Sequence, residues 1–233
     1  MVFICSPHRC MSALAVLFLL PAVSSGAQPP PPAETGANDS WTDIKQIRFT
    51  HGDRTGMLLA PQTAAEGRPW LWSAAPPAHD GITKTLLDRG FHIAWIDVND
   101  LYGNAEALSH WDVFYRWAVN EQQLSGKPAL LGTEEDALAL FRWAARHPDA
   151  VGCLYAQDPW LDLQPVPDPT SPALEKVRQA HGCVSGAEAT SLPDAPLNMA
   201  AEFGKAAIPI LFLHLGEEAA SPVRKQAEQF YKA

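Results

Sequence analysis

The sequence predicts an α/β fold on a mostly parallel central sheet, and three observations carry that prediction. From Arg68 onward, short apolar runs alternate with segments of helical spacing. The run FHIAWIDV (Phe91–Val98) is almost continuously apolar, as expected of a strand covered on both faces. Ahead of these, IKQIRF (Ile44–Phe49) alternates with a period of two and turns back at HGDR into TGMLLAP, a β-hairpin. With 233 residues, 47% hydrophobic and 18% charged, the chain can bury one sizeable core.

The elements follow in order. MVFICSPHRC carries His8 and Arg9, an apolar run extends to Val23, and small residues stand at Ser25 and Ala27. This is the layout of a secretory signal peptide. Residues 1–27 are expected to be removed after Ala27, giving a periplasmic or extracellular protein. Residues 28–40, rich in proline, read as a disordered linker. The remainder, 41–233, is one domain. After the hairpin, RPWLWSA (Arg68–Ala74) is a strand. HDGITKTLLDRG is a helix with Ile82, Leu86 and Leu87 on one face and Gly90 placed to end it. A long helix starts near Ala105, with Leu108, Trp111, Tyr115 and Ala118 as its apolar stripe. KPALLG, AVGCLYAQ and AAIPILFLHLG are strands. TEEDALALFRWAARHP is a helix stopped by Pro148, and SPVRKQAEQFYKA is the last helix. Residues 160–200 interrupt this rhythm as a lid insertion. It holds one clear helix, SPALEKVRQAHG, with Ser171 as N-cap and Pro172 at its first position.

Charge and cysteine usage exclude several functions. A net charge of −9 without a basic cluster argues against nucleic acid and against a membrane surface as partner of the mature form. Cys5 and Cys10 lie in the leader. Cys153 sits in an apolar run, where a thiol is a small hydrophobe, and export would permit its pairing with Cys183. No Cys/His spacing suits a metal, and no cofactor is expected. Trp111, Trp117, Trp70, Trp72 and Trp95 read as core by their spacing.

The stretch LLGTEEDALALF (Leu130–Phe141) runs from strand to helix through a glycine, as at a nucleophile elbow, G-x-S-x-G. Together with RPWLWSA, RGFHIAWIDVNDLYG, HWDVFY, the strand–helix–strand run up to AVGCLYAQDP, and AAIPILFLHLG, it resembles the α/β-hydrolase superfamily. More narrowly, it resembles exported bacterial hydrolases of the prolyl-oligopeptidase and acetyl-esterase kind. The resemblance spans residues 44–233 and rests on order and spacing. It implies a Ser–Asp–His triad and an oxyanion hole above the carboxyl ends of the strands, with helices on both faces of the sheet.

Each implied part departs from that pattern here. The nucleophile position is Glu134, and Asp136 replaces the second glycine. Thr133 with Asp136 reads instead as a capping box, with acids favoured in a first helical turn. The second oxyanion donor falls to Ala74 or Ala75, because Pro76 and Pro77 carry no N–H. The acid position reads as Ala219, leaving Asp158, Glu217 or Glu218 as alternatives. The last strand and the histidine loop are missing. His214 reads as a packed core residue. His181 reads as lying at a helix C-terminus, where an imidazolium is favoured. Asp97, Asp100 and Trp160 are pocket candidates. The expected function is a non-hydrolysing, exported binder of a small molecule, glycan or protein. The alternative is an active esterase- or peptidase-like hydrolase with a carboxylate nucleophile. With its last strand missing, the sheet would expose an edge, and a homodimer through that edge is expected.

Overall fold

The computed structural model describes residues 2–5, 44–163, 170, 172–183, 192, 194–215 and 221–232. The linker at 28–40, Ser171, Glu217 and Glu218 lie outside these residues, as do most of the leader and part of the lid. The strands are β1 (Val2–Cys5), β2 (Lys45–His51), β3 (Arg54–Ala60), β4 (Trp70–Ser73), β5 (His92–Ile96), β6 (Ala129–Thr133), β7 (Cys153–Gln157) and β8 (Ile210–His214). The helices are α1 (Gly81–Asp88), α2 (Ala105–Arg116), α3 (Ala137–Arg146), α4 (Pro172–Ala180), α5 (Ala200–Ala206) and α6 (Pro222–Lys232).

One sheet holds all eight strands in the order β1-β8-β7-β6-β4-β5-β3-β2. The block from β8 to β5 is parallel; β1 and β3 run antiparallel to it, and β2, antiparallel to β3, runs with it again. The order reverses between β4 and β6, so this is the switch point where open α/β sheets hold ligands. The edge of β8, expected to be open, is paired: Val2 lies opposite His214 and Cys5 opposite Leu211. The pairing strand comes from the start of the segment read as a leader.

Alternation along the strands divides the side chains between two faces. Trp72, Ala94, Leu130, Leu154 and Phe212 face α2, α3 and α6 and form the main core. Trp72 is fully buried between Trp111, at 4.3 Å between ring centroids, and Trp143, at 5.0 Å. On the opposite face, Leu86 and Leu87 of α1 cover Leu59 and Ile93. Helix α1 starts at Asp80, whose carboxylate accepts the Thr83 N–H at 2.7 Å, and ends before Gly90 at φ 84°. Of the expected stripe, Leu108 and Trp111 are buried in α2 beside Ala107 and Phe114, Tyr115 is half-buried, and Ala118 is buried in the π turn at Trp117–Glu121 that closes the helix. Helix α5 lies in a stretch whose sequence shows no clear period.

Cys153 and Cys183 form no disulfide. Cys153 lies on the α1 side of the sheet and Cys183 just beyond α4, in the lid.

Candidate functional site

The switch point is built from the carboxyl ends of β4 and β6. Gly132 lets β6 and α3 approach so closely that a Cβ there would lie 3.0 Å from the Ala137 Cα. The turn between them is correspondingly tight. Glu134 takes a left-handed backbone at φ 46°, and residues 134–136 form a single 3-10 turn before α3. The strained backbone of an elbow is therefore present, although its residues are Glu-Glu-Asp. The capping-box expectation fails. Thr133 has the extended backbone of an N-cap, but its side chain makes no cap hydrogen bond. The Glu134 side chain is exposed, and its carbonyl accepts the Trp160 N–H at 2.9 Å.

Asp136 turns inward. Its Oδ1 accepts from Asn99 Nδ2 at 2.8 Å, and the same amide donates to the Ala74 carbonyl at 3.0 Å. Asn99 Oδ1 accepts the Trp95 indole N–H at 3.3 Å. Burial pushes the Asp136 carboxyl up to about 6 against the opposing Asn99 bond, with Glu135 and Glu134 adding to the rise. Burial also raises the nearby Tyr102 phenol, with help from Glu135, Asp136 and Asp100.

The oxyanion candidates separate. The Ala74 N–H is spent on the Leu131 carbonyl at 2.8 Å, which leaves Ala75 as the donor in that loop. Ala75, Pro76 and Pro77 line a mostly apolar cavity of about 290 Å³, with Ser73, Thr133 and Gln157 toward the strand ends and Leu71, Leu131 and Leu211 along its wall. None of Asp97, Asp100 and Trp160 lines it. Asp97 is exposed, Asp100 is held by Arg54 at 2.5 Å, and Trp160 is buried in an apolar cluster beneath the lid.

A histidine–aspartate pair stands one strand further on. In the β7–β8 register Gln157 faces Leu213, so Asp158 and His214 are the next neighbours. His214 Nδ1 lies 3.1 Å from Asp158 Oδ1. A carboxylate accepts, so Nδ1 donates, and Nε2 points away from the pair. That is the internal arrangement of a general base. Yet His214 is only 2% exposed, and its Nε2 is buried without a hydrogen-bond partner. Asp158 takes φ 43°, and its Oδ2 accepts the Leu215 N–H at 3.4 Å. Each residue was visible in the sequence; their pairing depends on the register between two strands far apart in the chain.

His181 does lie just past the C-terminus of α4, but it is neutral. Its Nε2 lies 2.9 Å from the Tyr102 carbonyl and so carries the proton, while Nδ1 accepts from Arg142 Nη1 at 3.1 Å. Burial lowers its basicity and Arg142 lowers it further, outweighing any attraction of the helix end. Buried Arg142 also donates to the Gly103 carbonyl at 2.6 Å and pairs with Asp194. Burial works against the Asp194 carboxylate, but Arg142 holds it below its ordinary range. Asn104, the N-cap of α2, donates to the Ala180 carbonyl at 2.9 Å. These contacts fasten the lid beside the elbow. Among the described residues no group of His, Cys, Asp and Glu side chains could hold a metal ion.

Comparison with solved structures agrees with this architecture. The crystal structure of Mycobacterium tuberculosis MPT51 (FbpC1) superposes with a TM-score of 0.56 at 16% identity, covering 81% of this chain and 84% of that one. The fold is that of the α/β hydrolases. A ferulic acid esterase matches with a TM-score of 0.48 at 13% identity over 73% of this chain and 89% of its own. An acylaminoacyl peptidase from Pyrococcus horikoshii matches at 0.45 and 10% identity, over 80% of this chain and 40% of its own. No family model and no curated protein sequence matches the chain. At these identities the α/β-hydrolase likeness establishes architecture alone. Within that architecture Glu134 stands at the turn after β6. No helix among the described residues is long and apolar enough to cross a membrane.

Proposed function

We propose that this protein is an exported α/β-hydrolase-fold protein that binds a ligand and does not hydrolyse it. The observation that carries the reading is Glu134 at the elbow. The turn keeps its left-handed backbone, but the side chain there is a carboxylate, while the His214–Asp158 pair has its second ring nitrogen buried with no hydrogen-bond partner among the described residues. A serine at the elbow would need that nitrogen within hydrogen-bond reach to lose its proton. Export rests on the leader pattern of residues 1–27, and the N-terminal mass of the protein recovered outside the cell tests it.

One observation favours a second reading. Backbone strain persists where the surrounding structure over-determines it, and it clusters at reactive sites. A Glu134 carboxylate attacking an ester would form a mixed anhydride as the ester C–O bond breaks, and the departing alkoxide would take a proton from water to leave as the alcohol. Water activated by His214 would then have to hydrolyse that anhydride.

One experiment separates the two readings. The purified protein is assayed on acetyl, aryl and glycan esters beside Glu134→Ala and His214→Asn. The first reading expects no turnover above either variant. Turnover abolished by both substitutions would replace it with the second.

A further inference from the structure

We propose that the groove between β2 and the end of α2 is a binding site for a carboxylated glycan, such as a short uronate oligosaccharide. The groove holds about 570 Å³, within the range of small-ligand sites, and lies at the far edge of the sheet from β8. Arg48, Phe49, Thr50 and His51 of β2 form one wall, and Arg116, Trp117, Asn120 and Glu121 stand opposite them.

Charge is the first argument. The chain carries 26 acidic and 17 basic side chains, and several of its guanidiniums are engaged by carboxylates. Arg54 pairs with Asp100, Arg142 with Asp194 and Arg224 with Glu228. Arg48 and Arg116 are exposed, and neither has an ion-pair or side-chain hydrogen-bond partner among the described residues. Glu121 shares the groove without pairing with either. Two uncompensated guanidiniums facing one groove suit bidentate capture of carboxylates.

Shape and surface chemistry narrow the ligand. The Trp117 ring is half-buried, braced by Phe49 at 5.1 Å and Phe114 at 5.3 Å between centroids. His51 is braced by His110 at 5.5 Å. Rings held this way offer fixed apolar faces at low entropic cost, against which a sugar ring can lie. Among the described residues β2 is the last strand of the sheet, and an edge strand offers backbone donors and acceptors of the kind a polyol needs. The π turn at Trp117–Glu121 sets Asn120 beside them, and π turns recur at functional sites.

The test is calorimetric titration of the full chain with trigalacturonate, with maltotriose as the neutral control. Arg48→Ala and Arg116→Ala are measured beside the native protein, and circular dichroism checks their fold. The expected result is saturable trigalacturonate binding with quenching of tryptophan emission. Each substitution should weaken it at least tenfold, and maltotriose should bind at least tenfold more weakly. The proposal is overturned by absent binding, by affinity unchanged in the double variant, or by a Glu-rich hexapeptide that binds where trigalacturonate does not. The outcome is independent of the elbow: both arginine variants keep whatever ester turnover the protein has, and Glu134→Ala keeps the glycan affinity.

Discussion

Asp136 occupies the place where the elbow pattern has its second glycine, and it is destabilising as an ion. Its carboxyl ionises at about 6 in the fold against 3.8 as the ordinary value. The sign follows from linkage: between these two values the folded state holds a proton that the unfolded state has released, so stability falls as pH rises through this window. Above it, the penalty is on the order of 2–3 kcal/mol. Asp136→Asn keeps an acceptor for Asn99 and removes the charge. Urea unfolding should show the variant more stable than the parent at pH 7.5, with the advantage gone near pH 4. An unchanged difference across that range would mean the carboxyl is not buried as described. The residue was legible in the sequence only as an acid in a first helical turn. Its inward turn depends on Asn99 and Ala74, which reach it through the sheet.

Among the contacts that hold the segment around α4, the His181 imidazole is one that titrates. His181 accepts from Arg142 and donates to Tyr102, a pattern only the neutral ring can make. Its ionisation is pushed down by burial and by Arg142, with Asp194 opposing in part. Below the unfolded value near 6.5 the unfolded chain takes up a proton that the folded lid refuses, so stability falls as pH drops through 6.5. His92 is lowered as well, by burial foremost, and acts in the same direction. His181→Gln offers one donor and one acceptor without titrating. Hydrogen exchange of 172–180 should quicken between pH 7 and 5.5 in the native protein and much less in the variant. Equal quickening in both would assign the acid sensitivity elsewhere. Helix α4 itself was legible from its spacing and Pro172. Its docking partners, Tyr102, Asn104 and Arg142, were not, because none is near it in sequence.

For the whole molecule, the homodimer expectation turns on the sheet edge. Val2–Cys5 covers the β8 edge in the full chain, and β2 forms the other edge with Lys45 and Arg48 on it, charges of the kind that discourage strand pairing. If export removes residues 1–27, the β8 edge loses its partner strand. Sedimentation should then show a full chain that stays monomeric and a Gln28–Ala233 form that dimerises with rising concentration. A truncated form that is monomeric throughout would retire the homodimer expectation.

By itself, the sequence determined most of the order of strands and helices, the parallel core of the sheet and the hairpin at its edge. Those features are written in local periodicity and in glycine and proline placement, which act within a few residues. Tertiary structure alone decided that the TEED turn keeps an elbow's backbone, that Asp158 meets His214, that His181 is neutral, and that Arg48 and Arg116 share one groove. Each of these joins residues from different strands or helices. Their contact depends on register and layer packing, which no local pattern encodes.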